Sequence, residues 1–357
     1  MKITAIRTYE KSMALKKPYT ISFHTFSSVD LVFLEIELEN GLVGIGSGSP
    51  AEYVVGETTQ RTAINLKTEF VENFIGRDIR HFQQIIYETS QHFPHFPGTQ
   101  ATVDIALHDA FCKFLGISVV SFYGQKIKSL PTSVTIGIKN VTDTLEEAEG
   151  YYQLGFKILK VKTGMNVSED IERVLKLNEI YKNKLSIRVD ANQGYTLKDL
   201  KNFIAATEVA NVELIEQPLL VGKEEILLKL ETSSRQILCA DESLHDAQSA
   251  LKYATSQKKL FGIYNIKLMK CGGLIGALEI ANIARTANIK LFWGCNDESI
   301  VSITAALHIA YACENTRFID LDGSFDLAED LVSGGFVLEN GFMKINGQPG
   351  FGFRKIV

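Results

Sequence analysis

Three acidic residues end three successive strand-like runs at almost equal spacing, and lysines stand on either side of them. The runs KLSIRVDAN, VELIEQP and QILCADES place Asp190, Glu216 and Asp241 at intervals of 26 and 25 residues. Upstream, KILKVKT carries Lys160 and Lys162 at alternate positions. Downstream, YNIKLMK brings Lys267 a further 26 residues on. Alternate strand positions share a face, so Lys160 and Lys162 point the same way, as do the acids if their registers match. Buried carboxylates of one sign are costly unless paired or bound to a cation, and oxygen-only ligation suits Mg²⁺ or Mn²⁺ better than zinc. A lysine, with an ordinary pKa of ~10.4, is a poor base near neutrality. Crowding Lys160 against Lys162 beside a divalent cation is expected to lower one pKa by about 3, equivalent to about 4 kcal/mol. An amine freed in this way suits removal of a proton next to a carboxylate, because the cation steadies the enediolate that results.

Such a site needs a scaffold that gathers distant strand ends. From about residue 130, apolar β-branched runs recur: SVTIGI (133–138), KILKVKT (157–163), LSIRVDAN (185–192) and VELIEQP (212–218). They continue as QILCADES (236–243), GIYNIKLMK (262–270), KLFWGC (290–295) and RFIDLDG (317–323). The segments between have helical periodicity, as in TLEEAEGYYQLG and SEDIERVLKLNEIYKN, with N-caps expected at Thr142 and Ser168. Eight strands alternating with helices indicate α/β architecture, a (β/α)7β TIM-like barrel, with an open doubly wound sheet as the alternative. Catalytic groups of a barrel gather at the C-terminal ends of its strands. The three acids and three lysines all fall there, as do Asp320 and Asp322 of the eighth run. Runs two and six lie across the ring, so Lys162 and Lys267 would approach a central substrate from opposite sides.

The first ~125 residues read as an α+β unit, with a hairpin signal at Asn40-Gly41. The tail GGFVLENGFMKINGQPGFGF reads as two short strands expected to return to that unit. The expected division is 1–128 as capping domain, 129–323 as barrel and 324–357 as returning tail. A net charge of −5 and the lack of a basic stripe argue against nucleic acid as a partner. No apolar stretch reaches the ~20 residues of a membrane span, and Met1 to Glu10 lacks a signal-peptide core. Five cysteines without a CxxC pair point to a reducing cytoplasm. Gly41, Gly44, Gly46 and Gly48 miss the G-x-G-x-x-G pattern and suggest hairpin packing. His92 and His95 have metal-pair spacing only; His108 and His308 fit packing positions.

Taken together, Lys160-Val161-Lys162, Asp190-Ala191-Asn192-Gln193-Gly194, Glu216-Gln217-Pro218, Ala240-Asp241-Glu242-Ser243 and Asn265-Ile266-Lys267 resemble the muconate-lactonising-enzyme subgroup of the enolase superfamily. The resemblance spans essentially the whole chain, through Pro349-Gly350-Phe351-Gly352. It implies Asp190, Glu216 and Asp241 as ligands of one Mg²⁺ per subunit and Lys162 and Lys267 as the acid/base pair. Lys160 would assist the substrate carboxylate.

Asp320-Leu321-Asp322 is similar to the D-x-D of dipeptide epimerases, where two acids hold the substrate's α-ammonium group. A dianionic substrate would be repelled there. Thr135, His24, Cys295 and Asp297 are further candidate substrate contacts. Family members specific for glutamate carry an arginine near residue 24; here the residues are Phe23-His24-Thr25-Phe26. Cys295-Asn296-Asp297-Glu298 also replaces a commoner small-residue pattern. The expectation is an Mg²⁺-dependent epimerase of dipeptides with a neutral or hydrophobic second residue. It would work by two-base 1,1-proton transfer through an enediolate, with room for a homo-oligomer. The alternatives are an o-succinylbenzoate synthase or N-acylamino acid racemase, and a barrel retained only for binding.

Overall fold

Alternation between apolar and polar residues drives the first long strands together. β1 (Ile3–Ile21) pairs antiparallel with β2 (His24–Leu38), and β2 with β3 (Val43–Gly48) across the Asn40-Gly41 turn. The computed structural model describes residues 1–21, 24–255 and 259–356, without the side chains of 17–26. Helix α1 (Pro97–Leu115) lies directly on β3. The glycines of β3 make that approach possible: a Cβ on Gly46 would sit 2.0 Å from the Thr102 carbonyl, and one on Gly44 2.3 Å from that of Ala106. Packing, not a nucleotide loop, explains the glycine series.

The eight expected runs form eight parallel strands: β4 (Ser133–Ile136), β5 (Ile158–Lys162), β6 (Ser186–Asp190), β7 (Leu214–Glu216), β8 (Leu238–Ala240), β9 (Ile263–Ile266), β10 (Lys290–Trp293) and β11 (Thr316–Ile319). They are hydrogen-bonded in sequence order. A parallel bridge between Thr132 and Ile319, with Leu321 N donating to Thr132 Oγ1 at 2.9 Å, brings the last strand back to the first. The open-sheet alternative is therefore set aside. Register then puts chemistry on one level. Lys162 is paired with Asp190, Asp190 with Glu216, and Glu216 with Cys239, two residues before Asp241. Strands β5 and β9 stand opposite each other in the ring.

Local chemistry moves some boundaries. Helices α2 (Val141–Gln153) and α3 (Val167–Tyr181) are capped by Asn140 and Asn166, not Thr142 and Ser168. Each asparagine oxygen accepts a first-turn N–H, so the helices begin earlier than the Thr and Ser signals indicate. The sixth run does not stay extended to Lys270. It leaves the sheet after Ile266, and a helical turn covers Leu268–Cys271.

The tail's Asn340-Gly341 turn joins Phe336–Glu339 to Phe342–Ile345, and this hairpin adds to Leu130–Pro131 beside the barrel. Beyond it, Phe351 N donates to Asp109 Oδ1 at 3.0 Å and Lys355 Nζ reaches Glu35 at 2.6 Å, tying the tail to the N-terminal unit. Among the described residues no helix is long and apolar enough to cross a membrane. The Ile300–Cys313 stretch supplies helix α4 (Ile300–Ala312), buried on nearly every side. His92 stacks on Phe70 with ring centroids 4.0 Å apart, so packing accounts for it.

His308 of α4 accepts a hydrogen bond from Val120 N at 3.1 Å, joining the barrel wall to the N-terminal unit. Burial lowers its pKa to about 3. The unfolded imidazole titrates near ~6.5, so below that pH the unfolded chain holds the extra proton. His308 thus favours folding in full above pH ~6.5, and its contribution is lost as pH falls toward 3 at up to about 1.4 kcal/mol per pH unit. Urea unfolding at pH 8 and pH 5 should show a smaller acid loss for His308→Gln than for the natural protein; equal losses would contradict this.

Candidate active site

Lys160 points from β5 into the mouth of the ring and is 4% exposed. Its ammonium lies 2.8 Å from Asp320, 2.9 Å from Glu216 and 3.3 Å from Asp190. Burial pulls its pKa down, but Asp320, Glu216 and Asp190 outweigh it and hold it well above the ordinary range. Lys160 thus meets three carboxylates at close range, while Lys162 beside it pairs with Asp190. Lys162, two residues on, is more exposed and donates to Asp190 Oδ2 at 2.7 Å and Asn192 Oδ1 at 2.9 Å.

Across the ring, Lys267 directly follows β9 and donates to Asp241 Oδ2 at 2.9 Å. Burial lowers its pKa, yet Asp241 and Glu216 hold it well above the ordinary range. Asp241 is itself gripped twice, since the buried Lys270 also bonds its Oδ1. These two lysines overcome burial and hold Asp241 well below the usual carboxylate range. Asp190 is lowered too: burial opposes ionisation, but Lys162 and Lys160 prevail. Glu216 behaves differently. Burial, then Asp190, push it up to about 8. Its Oε1 accepts from Asn265 Nδ2 at 2.5 Å, while the buried Oε2 has no hydrogen bond, only the Lys160 ion pair.

Among the described residues no three Asp, Glu, His or Cys side chains converge as a finished metal cage, because each acid is turned onto a lysine. The donor set nevertheless fits a hard cation. Six carboxylates (Asp190, Glu216, Asp241, Glu242, Asp320, Asp322) gather at this mouth with four ammonium groups (Lys160, Lys162, Lys267, Lys270). The shortfall is two positive charges. Burial first, and the neighbouring carboxylates after it, raise the pKa values of Glu216, Glu242 and Asp322. Asp190, Glu216 and Asp241 could supply oxygen ligands to a divalent cation.

The remaining candidates form one wall. Asp320 Oδ1 accepts from the Ser133 hydroxyl at 2.6 Å, and its Oδ2 from Lys160, so both oxygens are engaged inside the ring. Asp322 stands one layer higher and accepts from Thr135 N at 2.9 Å; burial, then Asp320, push it up to about 8. Cys295 Sγ lies 3.3 Å from the Asp320 carbonyl and 4.0 Å from Asp322 Oδ1. The Asp297 carbonyl accepts from Ser49 Oγ at 2.8 Å, which stitches this wall to the N-terminal unit. The next residue, Glu298, is buried and raised to about 7 by that burial. The His24 side chain lies outside the described residues, as does Phe23.

The closed parallel barrel and the N-terminal unit on it have close counterparts. Residues 2–124 match the mandelate racemase / muconate lactonizing enzyme N-terminal domain, and residues 143–354 the enolase C-terminal domain-like family. The chain belongs to the enolase superfamily. An L-Lys-D/L-Arg epimerase from Desulforapulum autotrophicum is 48% identical over 356 residues, covering 100% of both chains. A hydrophobic dipeptide epimerase from Enterococcus faecalis is 35% identical over 95% of both. The crystal structure of a dipeptide epimerase from Methylococcus capsulatus, complexed with Mg and the dipeptide L-Arg-D-Lys, superposes with a TM-score of 0.96 at 42% identity, covering 99% of each chain. As a member of this superfamily whose relatives are racemases and epimerases, the protein is an isomerase.

Sequence reasoning missed Lys270. Read as a strand, positions 267 and 270 face opposite ways; only a helical turn puts both against Asp241. Gln217 is a second residue whose role only the fold reveals. It is buried with φ 31°, and its Oε1 accepts from Asp241 N at 3.0 Å and Ser243 N at 3.1 Å, fixing the strand end that carries Asp241.

Replacing Lys160 by Met should leave three buried acids short of a cation, at a cost on the order of 3–5 kcal/mol. Urea unfolding at neutral pH should show the loss, and an unchanged midpoint would contradict the ion-pair assignment.

Proposed function

We propose that the protein is an Mg²⁺-dependent dipeptide epimerase that inverts the α-carbon of the C-terminal residue of cationic dipeptides. The observation that carries this reading is the placement of Lys162 and Lys267 on opposite strands of one closed ring. One amine takes the α-proton from one face while the other delivers a proton to the opposite face. The proton count is unchanged and the configuration inverts. Asp190, Glu216 and Asp241 would hold one Mg²⁺. Bound there, it would supply electrostatic stabilisation of the charge that develops on the substrate carboxylate.

Lys160, permanently charged among its acids, would face the same carboxylate. Asp322 is the better contact for the substrate's α-ammonium, because both Asp320 oxygens are already engaged by Ser133 and Lys160. The alternatives of o-succinylbenzoate synthesis or N-acylamino acid racemisation involve no free α-ammonium and leave this acidic wall without a partner.

The expectation of a neutral or hydrophobic second residue gives way here. It rested on Phe23-His24-Thr25-Phe26, whereas the relatives that are 48% and 42% identical are L-Lys-D/L-Arg epimerases and the hydrophobic-dipeptide relative is 35% identical.

In D₂O, dipeptides of Lys and Arg should gain one deuterium at the C-terminal α-carbon, with kcat/KM at least tenfold above that for Leu-Tyr. Lys162→Ala and Lys267→Ala should each abolish inversion, and chelation of divalent metal should do the same reversibly. Inversion surviving either substitution would refute the two-base assignment. Asp322→Asn should lower kcat/KM for dipeptides by roughly 10–100-fold, the loss of one charge-assisted contact worth about 1.5–3 kcal/mol.

A further inference from the structure

Asp241 holds two lysines in very different ways. Lys270 spends all three ammonium hydrogens on fixed acceptors: Asp241 Oδ1, the Asp241 carbonyl at 2.6 Å and the Asn265 carbonyl at 3.2 Å. Lys267 makes one such bond, to Asp241 Oδ2, and its side chain is 13% exposed against 4% for Lys270. Their anchoring differs as well. Lys270 belongs to the helical turn Leu268–Cys271, which closes on Gly272 and Gly273. Those glycines are pressed against the N-terminal unit: a Cβ on Gly272 would meet Gln100 Oε1 at 2.4 Å, and one on Gly273 would meet the Asp104 side chain at 2.6 Å. Asp104 also accepts from Ile275 N at 3.2 Å, fixing the chain just beyond. Lys270 has nowhere else to go. Lys267 precedes this turn, and both lysines border the small cavity lined by Ala51, Val54, Val55, Met269 and Asn296, so the contrast between them lies in bonding and anchoring.

An amine that must reach a substrate's α-carbon cannot stay bonded to a carboxylate below it. If Lys267 were the only partner of Asp241, its departure would leave the carboxylate with no fixed contact to hold its orientation toward an incoming cation. We propose that Lys270 is a positioning residue, the permanent counter-cation of Asp241. It orients the carboxylate so that Oδ2 is the oxygen left to Lys267, and it lets Lys267 exchange that oxygen for the substrate when the metal ion takes its place. This rests on the epimerase reading above and assigns within it a division of labour between a fixed lysine and a released one.

Two experiments test it. The first is a crystal structure of the natural protein with Mg²⁺ alone. It should show Lys270 still bonded to Asp241 Oδ1 and Lys267 withdrawn beyond 4 Å from Oδ2. Lys267 still in place, or Lys270 as the residue that moved, overturns the proposal, whatever the substrate turns out to be. The second compares Lys270→Gln and Lys270→Arg with each epimer of a Lys-Lys dipeptide in D₂O. With the fixed charge removed, Lys267 stays recruited to Asp241. The Gln variant should therefore lose at least tenfold in α-deuterium exchange with the epimer served by Lys267, and less than threefold with the epimer served by Lys162. The Arg variant should restore most of the loss. Equal losses for both epimers, as from a general disturbance of the fold, or no loss, would overturn it. If the natural protein exchanges neither epimer, the epimerase reading fails, while the crystal experiment still decides the role of Lys270.

Discussion

Everything at the mouth of this barrel follows from one electrostatic constraint: a row of buried carboxylates that its own lysines do not fully neutralise. Parallel pairing sets the row, because strands in register deliver Lys162, Asp190 and Glu216 to the same level. Closure of the ring then faces this row toward Lys160 in the centre and Lys267 on the far side. Asp190 and Asp241, each gripped by two lysines, stay ionised. Glu216, between them and holding only one buried ammonium, is pushed upward. The same crowding that makes Glu216 hard to ionise makes the site receptive to a divalent cation.

The N-terminal unit and the tail serve this constraint from outside. Ser49 Oγ donates to the Asp297 carbonyl at 2.8 Å, and Asn296 Nδ2 donates to the Ser49 carbonyl at 2.9 Å. The Gly272-Gly273 turn rests on α1. That packing excludes water from the ammonium groups and keeps their charge interactions strong. It also explains why small residues on β3 and after Lys270 matter as much as the charged ones: Gly44 and Gly46 let backbone approach backbone, and Gly272 and Gly273 leave room for the Gln100 and Asp104 side chains.

Much of this was legible in the sequence because it depends on period and spacing. Eight apolar runs at similar intervals specified the barrel, and acids at the ends of three neighbouring runs specified where chemistry would gather. What escaped reading depended on short-range backbone geometry. Lys270 was hidden by a strand-to-helix change one residue after Lys267, and the helix caps by asparagines that begin helices α2 and α3 early. The three-acid surroundings of Lys160 escaped for another reason. Sequence spacing brought Lys162 into view as a neighbour, but the acid from the eighth strand, Asp320, reaches Lys160 only once the ring closes. The hydrophobic preference was drawn from Phe23-His24-Thr25-Phe26 alone, and the relatives at 48% and 42% identity weigh against it.

The most direct test is a crystal structure with Mg²⁺ and a Lys-Lys dipeptide. The account predicts a metal ion about 2.0–2.2 Å from oxygens of Asp190, Glu216 and Asp241. It also predicts the Lys162 and Lys267 amines on opposite faces of the C-terminal α-carbon, each roughly 3–3.5 Å away. Both amines on one face, or a metal ion bound away from the three acids, would contradict it.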